Sequence, residues 1–121
     1  MIVTTPQDVA LIDARKGLAM FRKVNVPVIG IVENMSGFRC PCCGEEIDVF
    51  KRGGGRRTAE VLGCEFLGSI PLDPAIVEGG DAGEPIVESE PDGVHGEAFS
   101  KVADAVVRQV RKGQRPKLTI V

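Results

Sequence analysis

The stretch Val28-Ile29-Gly30-Ile31-Val32 contains no polar side chain. A short, continuous apolar run marks a strand covered on both faces, as in a parallel sheet flanked by helices. Ile2-Val3-Thr4 reads as the end of an earlier strand, and a helical pattern lies between the two. Strand, helix and strand within about 30 residues form a βαβ crossover, which requires a parallel sheet. The fold class is therefore α/β.

The intervening helix is expected over residues 6–23. Thr5 reads as its N-cap, with Pro6 at the first helical position and Asp8 three residues beyond the cap. Leu11, Ala14, Leu18 and Phe21 fall on one apolar face. Asn25-Val26-Pro27 ends the helix. Residues 35–55 read as an inserted loop carrying cysteines, with Ile47-Asp48-Val49-Phe50 as a short strand inside it. Gly53-Gly54-Gly55 then serves either as an anion-binding nest or as a flexible entry to a helix over residues 56–62, stopped by Gly63. Residues 66–70 form another short strand, 71–74 a turn and 75–78 one helical turn. Residues 79–93, rich in Gly, Pro and acids, read as surface loop. The last helix is expected over residues 96–111, with Phe99, Val102, Ala103, Val106 and Val110 inward. Residues 1–112 make one partial α/β domain and residues 113–121 a tail.

The 121 residues fit one domain, and 43% hydrophobic content supports a core. A net charge of -2 speaks against a phosphate-binding surface, so no nucleic-acid partner is expected. No apolar run reaches the roughly 20 residues of a membrane span, so no membrane partner is expected either. No signal peptide is visible. Clustered cysteines favour a cytoplasmic metal or redox site over a disulfide framework. Three strands are thin cover for helices on two faces, and the chain starts inside a strand. It is expected to begin in the middle of a larger fold.

The chemistry concentrates in Cys40-Pro41-Cys42-Cys43-Gly44. Two residues between Cys40 and Cys43 let a tight turn aim both sulfurs at one ion, and Gly44 permits the positive φ such a turn needs. Tetrathiolate sites bind Zn²⁺ or an iron–sulfur cluster. A redox pair is the rival, although thioredoxin-type pairs open a helix and Gly44 argues against one here. Cys42 lies too close to complete the same tetrahedron. Cys64, beside Phe66 and Leu67, reads as core, and His95 as a solvated loop residue. Half of a four-ligand site is present. A second copy of the chain, meeting the first on a two-fold axis, is the simplest completion. A single-chain zinc site using Cys42 or Cys64 stays open.

The segments VTTPQDVALIDARKGLAMFRKVNVPVIGIVENMSGF, CPCCGEEIDVF, GGGRRTAEVLG and FLGSIPLDPAIVEGGDAGEPIV resemble the C-terminal half of the Mrp/ApbC iron–sulfur carriers, P-loop ATPases related to MinD and ParA. The resemblance runs from about Ile2 to Val110. It implies a MinD-like parallel sheet flanked by helices, with the cysteine loop as an insertion. It implies that Cys40 and Cys43 of each subunit hold a 4Fe-4S cluster bridging a homodimer, for transfer to apo iron–sulfur proteins. It also implies that Asn34 reads adenine and that Pro71, Leu72 and Asp73 lie along the base. Asn34 as a strand-end cap and Pro71 as an ordinary turn residue are equal alternatives.

Two departures stand out. The family usually has Pro-His between the outer cysteines, where this chain has Pro41-Cys42. No Gly-Lys dipeptide occurs, so the phosphate-cradling loop would precede residue 1. ATP with Mg²⁺ is accordingly a cofactor of the complete protein, and the chain alone is not expected to hydrolyse it. The competing functions are a zinc-knuckle interaction module and a MinD/ParA-like ATPase fragment without cluster transfer.

Overall fold

A computed structural model describes residues 1–113. Three parallel strands form the sheet in the order β1-β2-β5: β1 (Ile2–Thr4), β2 (Ile31–Glu33) and β5 (Phe66–Ser69). Helices α1 (Asp8–Lys23) and α2 (Gly54–Leu62) cover one face, and α5 (Val94–Gly113) covers the other. Between β2 and α2 the chain forms a separate antiparallel hairpin of β3 (Phe38–Arg39) and β4 (Glu46–Ile47). Two further helices, α3 (Pro74–Ala82) and α4 (Ile86–Ser89), precede α5.

The apolar run ends in the central strand, as its composition requires. Ile31, Val32 and Glu33 are all buried. Successive side chains of a strand point to opposite faces, so one run of residues feeds two cores. Val32 joins Leu67, Ile70, Val102 and Ala105 beneath α5. Leu11, Ala14 and Leu18 are the buried face of α1, as expected. On β5, a Cβ at Gly68 would stand 2.8 Å from Val102 Cγ2, so the absent side chain lets α5 approach the sheet.

Several expectations need correction. The β2 ladder covers residues 31–33 rather than 28–32: Gly30 accepts Ile2 N–H through its carbonyl, and the ladder continues into Glu33, whose side chain is buried. The N-cap of α1 is Gln7, not Thr5, without a side-chain cap bond. Thr5 Oγ1 turns to Gln7 Oε1 instead, and Asp8 meets Lys51 at 3.0 Å. Gly54 and Gly55 belong to α2; a Cβ on Gly54 would stand 2.6 Å from Leu11 Cδ1.

The turn expected over residues 75–78 is the longer α3. Pro74 occupies its first turn, and Asp73 Oδ1 accepts from Ala75 N–H at 2.8 Å. The expected loop over residues 79–93 contains the end of α3 and all of α4, which buries Ile86. On α5 the inward residues are Ala98, Phe99, Val102, Ala105 and Val106, whereas Ala103 and Val110 are exposed. Of the expected tail, Gly113 closes α5 and residues 114–121 lie outside the described residues. No helix among the described residues is long and apolar enough to cross a membrane.

Leu18 is 1% exposed and Val61 is 80% exposed. Leu18→Ala is expected to lower unfolding free energy by about 2–5 kcal/mol, and Val61→Ala by less than about 0.5 kcal/mol, both read by urea denaturation.

Candidate metal and nucleotide-side site

The loop carrying the cysteines is closed at its base by one carboxylate. Glu33, at the end of β2, is 1% exposed. Its Oε1 accepts from Ser36 Oγ at 2.5 Å and from Gly53 N–H at 2.9 Å, and its Oε2 accepts from Gly55 N–H at 2.5 Å. The glycine run does form an anion-binding nest, and the anion is internal. Successive backbone N–H groups at a helix start favour negative charge. Both ends of the 34–53 loop are thereby tied to one side chain.

Above this clasp, the β3–β4 hairpin projects the thiols. Cys40 N–H donates to Glu45 O, and Gly44 N–H donates to Cys40 O, each at 2.9 Å. Gly44 has φ +74°, the left-handed value the turn requires. Arg52 crosses the hairpin to Glu46 at 3.0 Å and to Asp48 at 2.5 Å. Cys40 is half-buried, whereas Cys42 and Cys43 are exposed. The backbone N–H of Cys43, then that of Cys42, donates to the Cys40 sulfur and holds its thiol below the ordinary range. Such donors stabilise the anionic form that binds metals.

Cys64 stands apart. It precedes β5, at the edge of the sheet opposite the knuckle, near Arg22, which donates to Leu62 O at 2.6 Å. Burial pushes its thiol up. It is half-buried rather than fully enclosed. No group of three or more His, Cys, Asp or Glu side chains among the described residues is placed to hold a metal ion. The hairpin turn carries thiols at Cys40 and Cys43, two positions of a thiophilic donor set.

The residues expected on the nucleotide side come together at the carboxyl ends of the strands, where open α/β sheets place ligands. Asn34, Pro71, Leu72 and Asp73 line one cavity of about 170 Å³ together with Ile76 and Val77. In this structure the Asn34 side chain caps the strand end: its Oδ1 accepts from Met35 N–H at 2.9 Å. Leu72 N–H donates to Gly37 O at 2.8 Å, and Leu72 bridges Phe38, so this turn is stitched to the knuckle hairpin. A second cavity, of about 460 Å³, lies between them and is lined by Cys40, Pro41, Asp73 and His95.

His95 is not the solvated loop residue expected. It sits in the first turn of α5, its side chain 18% exposed, with Nε2 3.0 Å from Asp73 Oδ2. Its Nδ1 is buried with no hydrogen-bond partner among the described residues. Sequence reading missed Glu33, Ser36 and this His95–Asp73 pair. A charged residue closing an apolar strand next to a later triple glycine is the one signal that pointed to the clasp.

A family model described as ParA, NUBPL iron-transfer P-loop NTPase, matches residues 1–107. The chain belongs to this family. The iron–sulfur cluster transfer protein NUBPL of Mus musculus is 47% identical over 111 residues, covering 92% of this chain and 35% of its own length. The iron–sulfur cluster carrier protein of Methanocaldococcus jannaschii is 46% identical over 110 residues, covering 91% and 37%. This member of the NUBPL family thus spans little more than a third of the curated relatives it matches. Among solved structures, the nucleotide-binding protein of Archaeoglobus fulgidus in complex with ADP is 36% identical with a TM-score of 0.59, covering 73% of this chain and 36% of that one. The cell division ATPase MinD of Pyrococcus furiosus is 27% identical with a TM-score of 0.64, covering 88% and 41%. The fold is that of a MinD-like P-loop NTPase, as the motifs implied.

Two outcomes test this geometry. Glu33→Ala leaves Gly53 and Gly55 N–H groups unpaired beside a void, and is expected to cost at least about 2 kcal/mol, with faster proteolysis within residues 36–52. Alkylation by iodoacetamide, followed by peptide mass spectrometry across pH, should label Cys40 with a midpoint at lower pH than Cys64, because one thiolate is stabilised and the other thiol is buried.

Proposed function

We propose that the chain carries an iron–sulfur cluster as cargo and passes it to apo iron–sulfur proteins. The observation that carries this reading is a thiol-bearing knuckle at the surface, where no three His, Cys, Asp or Glu side chains among the described residues are placed to hold a metal ion. It occurs in a chain nearly half identical to proteins named as iron–sulfur carriers. In this reading Cys40 and Cys43 are the ligands. Two copies meet at their hairpins, and the four thiolates hold one 4Fe-4S cluster between them. Residues 1–112 act as the knuckle-bearing and base-side part of a MinD-like domain. Asn34, Pro71, Leu72 and Asp73 contact the adenine of ATP in the complete protein, where nucleotide with Mg²⁺ gates cluster release. The location is cytoplasmic, although one plant relative is named as mitochondrial.

Anaerobic reconstitution with ferrous iron and sulfide should give a brown dimer holding about four iron atoms. Cys40→Ser should abolish the chromophore, and Cys64→Ser should leave it intact. A protein that stays monomeric when fully loaded, or takes no iron, would overturn the reading. One zinc per chain instead would mark a zinc-knuckle interaction module.

A further inference from the structure

The cavity between the hairpin and the start of α5 has charged walls that the thiol turn alone does not explain. Its volume of about 460 Å³ falls within the usual span of small-molecule sites, roughly 300–1,000 Å³. Two guanidinium groups stand on the hairpin wall. That of Arg39 lies over the thiol turn, where a Cβ on Gly44 would be 3.6 Å from Nη2. That of Arg52 lies directly against Gly37, leaving no room for a Cβ there. Glu46 and Asp48 answer Arg52, whereas Arg39 makes no ion pair among the described residues. On the opposite wall Asp73 is already engaged by His95 Nε2 and by Ala75 N–H. The charge left unanswered in the cavity is therefore the cation of Arg39. Phe38 and Leu72 add apolar surface, and Cys40 lines the same space.

We propose that this cavity binds a low-molecular-weight thiol bearing a carboxylate, between a single cysteine and a cysteinyl tripeptide in size. The carboxylate pairs with the Arg39 guanidinium, whose planar fork fits two oxygens at once. The carbon chain of the ligand lies on Phe38 and Leu72. Its sulfur faces the Cys40 side of the cavity, because Arg39 and Cys40 are consecutive in the chain and both line it. The binding belongs to the metal-free chain. The use made of the sulfur rests on the function proposed above. Among the described residues no three His, Cys, Asp or Glu side chains are placed to hold a metal ion, so a centre on Cys40 and Cys43 needs donors from outside the chain. The ligand thiol gives its proton to solvent, and its sulfur bonds the metal at a position the two cysteines leave open. One sulfur–metal bond forms, and no oxidation state changes. A bound thiol of this kind keeps the centre on one chain while a second copy is absent.

The test titrates reduced, metal-free protein under anaerobic conditions with glutathione and with S-methylglutathione, which can neither exchange with a disulfide nor bind a metal as thiolate. The readout is the ring signals of His95, the one histidine of the chain, by nuclear magnetic resonance. Both probes should shift those signals saturably, with a Kd below about 1 mM. Arg39→Gln should weaken binding at least about tenfold, while Arg111→Gln, at the far end of α5, should leave it unchanged. Circular dichroism confirms that both variants keep the fold. With Co²⁺ added, glutathione should strengthen the thiolate-to-cobalt charge-transfer band beyond the sum of protein and glutathione alone, and S-methylglutathione should not. The proposal fails if neither probe shifts the His95 signals up to about 10 mM, or if Arg39→Gln binds as the parent does. A cobalt band no greater than that sum defeats the donor role. A chain that binds both probes yet takes up no iron would remove the carrier function and leave the cavity site standing, whereas an iron-loaded dimer whose chains bind neither probe would do the reverse.

Discussion

One buried carboxylate organises the functional end of this molecule. Glu33 ends the central strand, and its two oxygens receive three donors drawn from the loop that follows and the helix after that. A carboxylate withdrawn from water costs several kcal/mol unless its lone pairs are met. Here they are met by Gly53 and Gly55 N–H groups at the start of α2, where the helix dipole adds to the attraction. The glycines are needed because the carboxylate fills the space a side chain would take: a Cβ on Gly55 would lie 3.1 Å from the Glu33 carboxylate. The exposed hairpin is a short, two-stranded element with little core of its own, and such elements are marginal in isolation. Its order depends on being held at the base.

The same end of the sheet shows how the two halves of the site share structure. The 71–73 turn leaves β5 and does three things at once. Leu72 pairs with the backbone of the knuckle hairpin, Asp73 Oδ1 caps α3, and Asp73 Oδ2 meets His95 on α5. A displacement of this turn cannot leave the hairpin untouched, because the Leu72 N–H bond to Gly37 lies three residues from Cys40. The 71–73 turn and the thiols thus sit on either side of one stitched segment.

The fold class was legible because Val28–Val32 is a run that only a doubly covered strand tolerates, and because Ile2–Thr4 lies one helix away. The face of α1 was legible from its period. What escaped was everything decided by contacts distant in sequence. Glu33 had no part in the sequence reading, since a charge normally seeks water; only the Gly53 and Gly55 N–H groups, 20 and more residues later, make it an interior residue. Phe38–Arg39 is too short for alternation to show. Gly79, Gly80 and Gly83 made the second half of α3 read as loop after one helical turn, although the Asp73 cap and Pro74 supply a helix start strong enough to carry the weak interior. His95 looked solvated because its partner, Asp73, is 22 positions earlier. The α5 stripe was misread by choosing Ala103 over Ala105, a rotation of the inward face settled by the small gap above Gly68.

The cysteines illustrate a different division. Their spacing announced a tight turn, and the turn is present with Gly44 at positive φ and its backbone bond to Cys40. Spacing alone could not say whether a fourth or even third ligand folds in from elsewhere. The topology answers that for Cys64: a residue entering β5 stands at the amino ends of parallel strands, and a hairpin leaving β2 stands at the carboxyl ends. Strand polarity, not sequence distance, separates them. The thiols are thus gathered at one tip of the sheet, where Cys42 and Cys43 are exposed and the hairpin is held at its base by the Glu33 clasp.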